Sequence, residues 1–357
     1  MASITGGSNL NFLHGGNIHK AERDGRKKVL DFSANINPLG IPSVVKEKVY
    51  KNFDKVLHYP DPEAEDVTGK IAEYLGIEKK NILIGNGSVE FIYLLMNVYR
   101  PRTVLIPVPV FSEYERAARN AGSKVYFLRL KEKHNFKMSP VRPREADIIF
   151  AANPNNPTGN FIAENFKEIE KAAGRLIIVD EAFMDFVEKQ KKYSLVQKAV
   201  KNKKIIVLRT LTKFFAMPGL RIGYVVAHEN IIRKLKAYQT PWSVNSLAQL
   251  AAEKVLDDRD YIRKTHELIQ KERTFLYGAL GKIAGIKTYP SVVNFILIKI
   301  ERKDITSKVL RECLMKKGIL IRDCGNFRGL SDKYIRVAIR SRKENLKLIS
   351  ALRKVMI

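Results

Sequence analysis

The chain has 357 residues, 45% hydrophobic and 28% charged; this is ordinary globular usage and excludes disordered, collagen-like and low-complexity readings. Two cysteines, Cys313 and Cys324, exclude a disulfide framework, and no Cys/His spacing suggests a metal site. Lys and Arg number 64 against 37 Asp and Glu, and the formal +27 favours anionic ligands. The basic residues are scattered in short groups such as Lys79–Lys80 and Lys201–Lys204, without interleaved aromatics, so no specific nucleic-acid surface is expected. No apolar run is long enough to span a bilayer, and no basic patch followed by an apolar stretch directs secretion. A cytoplasmic protein with no membrane contact is the expectation, and the Gly/Ser-rich Met1–Ser8 is left out of fold reasoning.

In chain order, the Asn- and Gly-rich segment 1–40 is expected to pack with a small C-terminal domain. From Asn81 to Ala227 short β-branched runs alternate with helical stretches. Strands are predicted at Ile82–Gly85, Thr103–Pro107, Lys124–Leu130, Asp147–Ala151, Arg175–Asp180, Ile205–Arg209 and Gly223–Ala227, with helices between them, as at Ser88–Tyr99 and Glu164–Ala173. The strands show little polar alternation, as expected of strands covered on both faces. The fold class is therefore α/β, with a mostly parallel seven-stranded sheet whose chemistry sits at strand ends. After Trp242 the chain becomes helical, and Arg259–Gly285 has the length of a connecting helix. The tail reads as strand Val293–Ile300, helix Ile305–Gly318, strands Ile319–Arg322 and Tyr334–Ile339, and helix Lys343–Val355. Residues 41–257 are thus the expected large domain and 258–357 a smaller α+β domain.

Five segments carry chemistry. Lys213 lies just beyond a buried strand, with Thr210 and Thr212 before it and Arg221 after it. An amine, two hydroxyls and a guanidinium suit a phosphorylated aldehyde, although a lysine at a strand end is often only a solvated one. Asp180 ends the apolar run Leu176–Val179, where a carboxylate is costly unless it meets a cation, or else caps a helix. Asn153-Pro-Asn-Asn156-Pro-Thr-Gly159 is a loop offering the Asn156 amide, in residue types that plain turns also use. Gly85-Asn-Gly87-Ser88-Val-Glu90 opens a helix after a strand and makes an anion site; Glu90 at the third glycine position disfavours a dinucleotide. Phe111, after the next strand, suits either stacking on a planar ligand or core packing.

In order and approximate spacing these segments resemble the fold-type I pyridoxal-phosphate (PLP) enzymes, the aspartate aminotransferase superfamily, from His14 onward. The resemblance implies that Lys213 bonds covalently to pyridoxal 5′-phosphate and that Asp180 pairs with the ring nitrogen. It implies further that Asn156 contacts the ring oxygen and that Phe111 stacks on the ring. Gly87, Ser88, Thr210, Thr212 and Arg221 would hold the cofactor phosphate. Tyr59, in His58-Tyr-Pro-Asp-Pro62, resembles the tyrosine that reaches that phosphate from the other subunit of a homodimer.

Two branches of the superfamily are similar: histidinol-phosphate aminotransferase and threonine-phosphate decarboxylase of cobalamin synthesis. The openings His14-Gly-Gly-Asn17 and Asp31-Phe-Ser-Ala-Asn-Ile-Asn-Pro-Leu-Gly40 resemble the decarboxylase branch. So do Phe111-Ser-Glu-Tyr114 and the Phe183 that follows Asp180-Glu-Ala, where the aminotransferase branch generally has Tyr. The decarboxylase resemblance implies a small anionic substrate, L-threonine O-phosphate, with L-serine O-phosphate as a variant one methyl smaller. Arg322 and Arg336 in tail strands would bind its carboxylate or phosphate, Arg336 most plausibly the carboxylate, with Asn156 also lining the substrate. His14, Gly15 and Asn35 would lie near the phosphate, and Arg328 and Arg340 are further candidates.

Overall fold

The apolar runs become strands whose successive residues feed two separate cores. In the computed structural model, which describes residues 14–23, 25, 29–138, 145–161 and 166–356, Ile177, Val179 and Val207 enter one core, while Leu176, Ile178, Ile206 and Leu208 enter the other. That period of two, with both faces buried, is why these strands read as unbroken apolar runs. Each such side chain contributes about 1.5–3 kcal/mol on full burial. Met1–Ser8 lies outside the described residues, as do the first two residues of the helix expected at 164–173.

A short strand, β1 (Leu30–Asp31), precedes the large sheet. That sheet comprises β2 (Ile82–Gly85), β3 (Thr103–Val108), β4 (Lys124–Arg129), β5 (Ala146–Ala152), β6 (Ala173–Asp180), β7 (Ile205–Thr210) and β8 (Gly223–Ala227), in the order β2-β8-β7-β6-β5-β3-β4. Adjacent pairs from β4 to β7 run parallel, and β8 lies antiparallel between β7 and β2. The expected mostly parallel seven-stranded sheet is therefore the architecture found. A 22-residue helix, Arg259–Leu280, follows; Asp258 caps it, and Tyr261, Thr265, Ile269, Leu276 and Leu280 form its buried stripe.

The tail builds β9 (Ile286–Thr288), β10 (Phe295–Ile300), β11 (Ile319–Leu320), β12 (Arg322–Asp323) and β13 (Tyr334–Ala338). Four of them make an antiparallel sheet in the order β12-β13-β10-β9, whereas β11 pairs in parallel with β1. The strand expected at Ile319–Arg322 is thus two, because the chain leaves one sheet for the other at Ile321. The long helix stops at Leu280, before the expected Gly285, where the chain turns into β9. The N-terminal segment is tied in by the Ala338 N–H, which donates to the Phe32 carbonyl at 2.8 Å. Asn37 adds a second tie: its N–H donates to the Lys213 carbonyl at 3.1 Å, and its amide to Phe214 O and Thr265 Oγ1, both at 2.7 Å.

One buried ion network braces the ends of β6 and β7. Arg209 is 1% exposed and donates to Glu181 Oε2 at 2.9 Å, Asp185 Oδ1 at 3.0 Å, Gln190 Oε1 at 2.9 Å and Ser194 Oγ at 3.1 Å. Removing one partner of such a network leaves its carboxylates buried and unpaired. The Arg209→Met variant is expected to lose about 3–5 kcal/mol of stability in urea unfolding; a loss under about 1 kcal/mol would show that the network is not a brace.

Candidate active site

The sheet places Asp180 and Lys213 on adjoining strand ends, since Asp180 of β6 pairs with Leu208 of β7 and Lys213 follows β7. Both therefore face the crevice at the carboxyl ends of the parallel strands. Asp180 is buried; its Oδ2 accepts from the Tyr114 hydroxyl at 2.6 Å and its Oδ1 from the Ala182 N–H at 2.8 Å. Burial pushes this carboxyl up, against the hydrogen bonds and the nearby Lys213 charge. Burial likewise keeps the Tyr114 hydroxyl protonated and a donor. Tyr114 is itself fixed by parallel stacking on Phe150, with centroids 4.6 Å apart.

Lys213 stands with its Nζ 5.4 Å from the centre of the Phe183 ring. Burial lowers its amine to about 8, an effect that Asp180 opposes and that Arg221 and Arg336 reinforce. A neutral amine is the nucleophile, so this lysine is activated by its surroundings.

The turn at Gly87 opens the Ser88–Tyr99 helix at φ 76°, and a Cβ there would stand 2.6 Å from Arg221 Nη2. Glycine is thus required both by the backbone and by the guanidinium lying over the helix start. Gly223 is equally constrained, because a Cβ there would meet the Ser88 N at 2.4 Å. Thr210 and Thr212 are buried with their hydroxyls 2.9 Å apart, and Thr210 donates to the Ile222 carbonyl at 3.0 Å. With the Thr210 proton given to Ile222, the contact between the two hydroxyls is a donation from Thr212 to Thr210, and Thr212 reaches a ligand as a donor only by turning away from Thr210. Glu90 accepts from the Asn86 N–H and turns the loop back on itself.

Across the crevice, Arg336 of β13 donates to Asn156 Oδ1, and to the Ser33 carbonyl at 2.8 Å. Its Nε is buried without a partner, and it makes no ion pair among the described residues. Burial lowers this guanidinium to about 10. Arg322 lies directly opposite it in the β12–β13 register, is also buried, and donates to Asp323 O at 2.6 Å and Asn326 Oδ1 at 2.9 Å. Two guanidiniums facing each other on neighbouring strands are unfavourable without an anion between or beside them. Asn35 is buried nearby with an unpartnered Oδ1, and its carbonyl accepts from Asn294 Nδ2 at 3.0 Å.

His14 packs on Phe111 with ring centres 5.5 Å apart, and Gly15 runs so close to Ser33 that a Cβ would lie 2.2 Å from its carbonyl oxygen. Tyr59 is not part of its own chain's crevice: it is 80% exposed and stacks on Trp242 at 4.7 Å. Arg328 and Arg340 do not join the cluster. Arg328 is held bidentately by Glu115 at 2.8 and 2.9 Å, and Arg340 by Glu344 at 2.7 and 3.0 Å. The sequence pattern did not single out Tyr114, Asn37 or Ser33 for these contacts. The run Phe111–Tyr114 was the available signal, since a tyrosine beginning a helix after a buried strand faces back towards the strand ends.

These residues fit pyridoxal phosphate. A buried amine of lowered proton affinity faces a buried carboxylate, beside a helix N-terminus whose glycine leaves room only for Arg221. An aromatic ring and an amide with an unspent NH2 complete the set. Among the described residues no cluster of His, Cys, Asp or Glu could hold a metal ion, and no helix is long and apolar enough to cross a membrane.

A profile described as aminotransferase class I and II matches residues 27–352. The chain is 36% identical to a threonine-phosphate decarboxylase of Salmonella typhimurium, over 97% of either chain. It superposes on the histidinol-phosphate aminotransferase of Clostridium acetobutylicum with a TM-score of 0.84 and 35% identity, over 92% of this chain and 99% of that one. With L-threonine-O-3-phosphate decarboxylase of Porphyromonas gingivalis the TM-score is 0.80 at 25% identity, over 91% of this chain and 98% of that one.

The lowered Lys213 amine has a measurable consequence. In cofactor-free protein, labelling with acetic anhydride and reading Lys213 by mass spectrometry should show half-maximal reaction near pH 8, well below the exposed lysines. A Lys213 midpoint no lower than that of the exposed lysines would refute the effect of burial.

Proposed function

Because the chain belongs to the class I and II aminotransferase family, we propose that it is a pyridoxal-phosphate-dependent decarboxylase acting on L-threonine O-phosphate. The products are CO2 and (R)-1-amino-2-propanol O-phosphate, for cobalamin synthesis. The observation that carries this reading is Arg336: a buried guanidinium without a carboxylate partner, opposite a second buried arginine, next to Asn156 and Lys213. A substrate with both a carboxylate and a phosphate suits two such groups in one molecule, whereas an aminotransferase would use Arg336 only for its 2-oxo acid, since histidinol phosphate carries no carboxylate. The resemblance to the Salmonella typhimurium decarboxylase supports the same choice.

The cofactor, when bound, supplies an electrophilic carbonyl and a protonated ring that accepts the electron pair left at Cα. The chain's own residues do the rest. Lys213 would anchor the cofactor and, its amine released when the substrate's amine takes its place, would return a proton to Cα after CO2 has left. Asp180, held by Tyr114 and the Ala182 N–H, would pair with the ring nitrogen and keep it protonated. Gly87, Ser88, Thr210, Thr212 and Arg221 would hold the cofactor phosphate. Phe111 covers the ring. Arg336 grips the substrate carboxylate and so selects which Cα bond is aligned to break. Arg322, His14, Gly15 and Asn35 lie towards the phosphate.

We also assign a homodimer. Tyr50 and Leu57 are each 78% exposed, and Phe53, Val56, Tyr59, Tyr238 and Trp242 are exposed as well. Burial of such apolar surface against a second copy is the expected outcome. The partner's copy of Tyr59 then completes each phosphate site, and the protein works in the cytoplasm.

Two experiments test these assignments. Incubating the loaded protein with L-threonine O-phosphate and no 2-oxo acid should release CO2 and aminopropanol phosphate, with release abolished in Arg336→Ala although the cofactor stays bound. Amino transfer from histidinol phosphate to 2-oxoglutarate without CO2 release from threonine phosphate would replace the decarboxylase by an aminotransferase. Separately, co-refolding Lys213→Ala with Tyr59→Ala chains should recover roughly a quarter of wild-type activity, since half the dimers then carry one intact site. No recovery would remove Tyr59 from the shared site.

A further inference from the structure

Behind His14 stands a relay that the reaction as described does not use. His14 Nε2 lies 2.9 Å from Glu113 Oε1, and Glu113 Oε2 accepts from the Tyr93 hydroxyl at 2.5 Å. Glu113 is 5% exposed, whereas the His14 side chain is 45% exposed. A carboxylate buried this deeply is costly unless its partners hold it. Burial raises the Glu113 carboxyl, but hydrogen bonds from His14 and Tyr93 outweigh it and leave the group below its ordinary value. Tyr93 is pushed up to about 12 by burial and by Glu113, so it remains a donor. Among the described residues, Arg116, 3.7 Å from the same carboxylate, is the other charged group beside it.

The far side of the imidazole opens on a different environment. His14, Gly15, Ser33, Arg311, Lys316 and Arg322 line one cavity, which Glu312 and Asp323 also border. With Nε2 committed to Glu113, Nδ1 is the ring nitrogen left for a ligand in that cationic cavity. A phosphate reached by Nδ1 would then share the imidazole with the Glu113 carboxylate on Nε2. Phe111 packs against the ring from one side, the two planes tilted by 44°. Glu113 comes from the Glu113–Asn120 helix and Tyr93 from the Ser88–Tyr99 helix, so two rigid elements of the large sheet's flank aim a residue of the N-terminal segment.

We infer that Glu113, braced by Tyr93, is a positioning residue that fixes the His14 imidazole for recognition of the substrate's phosphate. The inference rests on the reading that the substrate carries a phosphate. Glu113 acts at a distance from the bond that breaks, and so affects substrate affinity and not the chemical step.

The test uses the cofactor-loaded enzyme and L-threonine O-phosphate. Glu113→Gln should raise KM about tenfold, the loss expected for a weakened charge-assisted hydrogen bond, with kcat changed less than about twofold. Tyr93→Phe, a milder change that keeps the fold, should raise KM in the same direction by a smaller factor. In a His14→Ala background neither substitution should raise KM further. Inorganic phosphate supplies a readout independent of turnover. Its protection of the loaded protein against thermal unfolding should weaken in Glu113→Gln and in His14→Ala alike. A fall in kcat with KM unchanged, or effects of Glu113→Gln and His14→Ala that multiply, would make Glu113 a structural residue and overturn the inference. Failure of the wild type to decarboxylate threonine phosphate would defeat the functional reading alone. Phosphate protection unaltered by both substitutions would defeat the relay.

Discussion

The site depends on keeping two opposite charges buried together at the ends of neighbouring parallel strands. Asp180 closes β6 and Lys213 follows β7, so strand pairing alone brings a carboxylate and an amine into one apolar crevice. Burial acts on both in the direction of neutrality, and each charge then depends on its neighbours. Tyr114 and the Ala182 N–H supply donors to Asp180; the next residue, Glu181, belongs to a different network and pairs with Arg209. Two consecutive carboxylates thus divide the work, one facing the reaction and one bracing the strand end that carries it.

The opposite wall has the complementary problem. Arg322 and Arg336 stand directly across from each other on antiparallel strands, and both are buried. Like charges in that register are destabilising, and an anionic ligand turns the repulsion into two attractions. The wall is also where three parts of the chain meet. Arg336 comes from the small sheet, Asn156 from the loop after β5, and Ser33 from the segment after β1. An anion held by Arg336 therefore acts on the junction of the large sheet, the small sheet and the N-terminal segment.

The large sheet was legible in the sequence because its burial is written in contiguous residues: a covered parallel strand is an apolar run, and each predicted run became a strand. The segment Ile319–Arg322 misled because four extended residues carry no mark of a change of sheet. The residues expected at the crevice were legible as types at strand ends, Lys213, Asp180 and Asn156 above all. Their supports were not, since Tyr114 meets Asp180 across 66 residues and His14 meets Glu113 across 99. Arginines were ambiguous for the same reason. Arg328 and Arg336 look alike in sequence, but Glu115 claims the first and, among the described residues, no carboxylate claims the second.

Asn156 links the two walls. Its carbonyl accepts from Arg336, and that hydrogen bond fixes which end of the amide faces the arginine. The NH2 group is then turned towards the crevice, where the proposed assignment gives it the cofactor's ring oxygen. Phe183, which has no hydroxyl, packs against Phe295 with centroids 5.1 Å apart and faces the Lys213 amine. No tyrosine hydroxyl at position 183 is therefore available to share the ring oxygen, and under the proposed assignment the Asn156 amide would carry that contact. A single side chain then serves the group that aligns the substrate carboxylate and the group that takes up the electrons when that bond breaks. Under the proposed assignment, Arg336 holds the amide that would contact the ring oxygen, so substrate recognition and the ring contact would share one side chain.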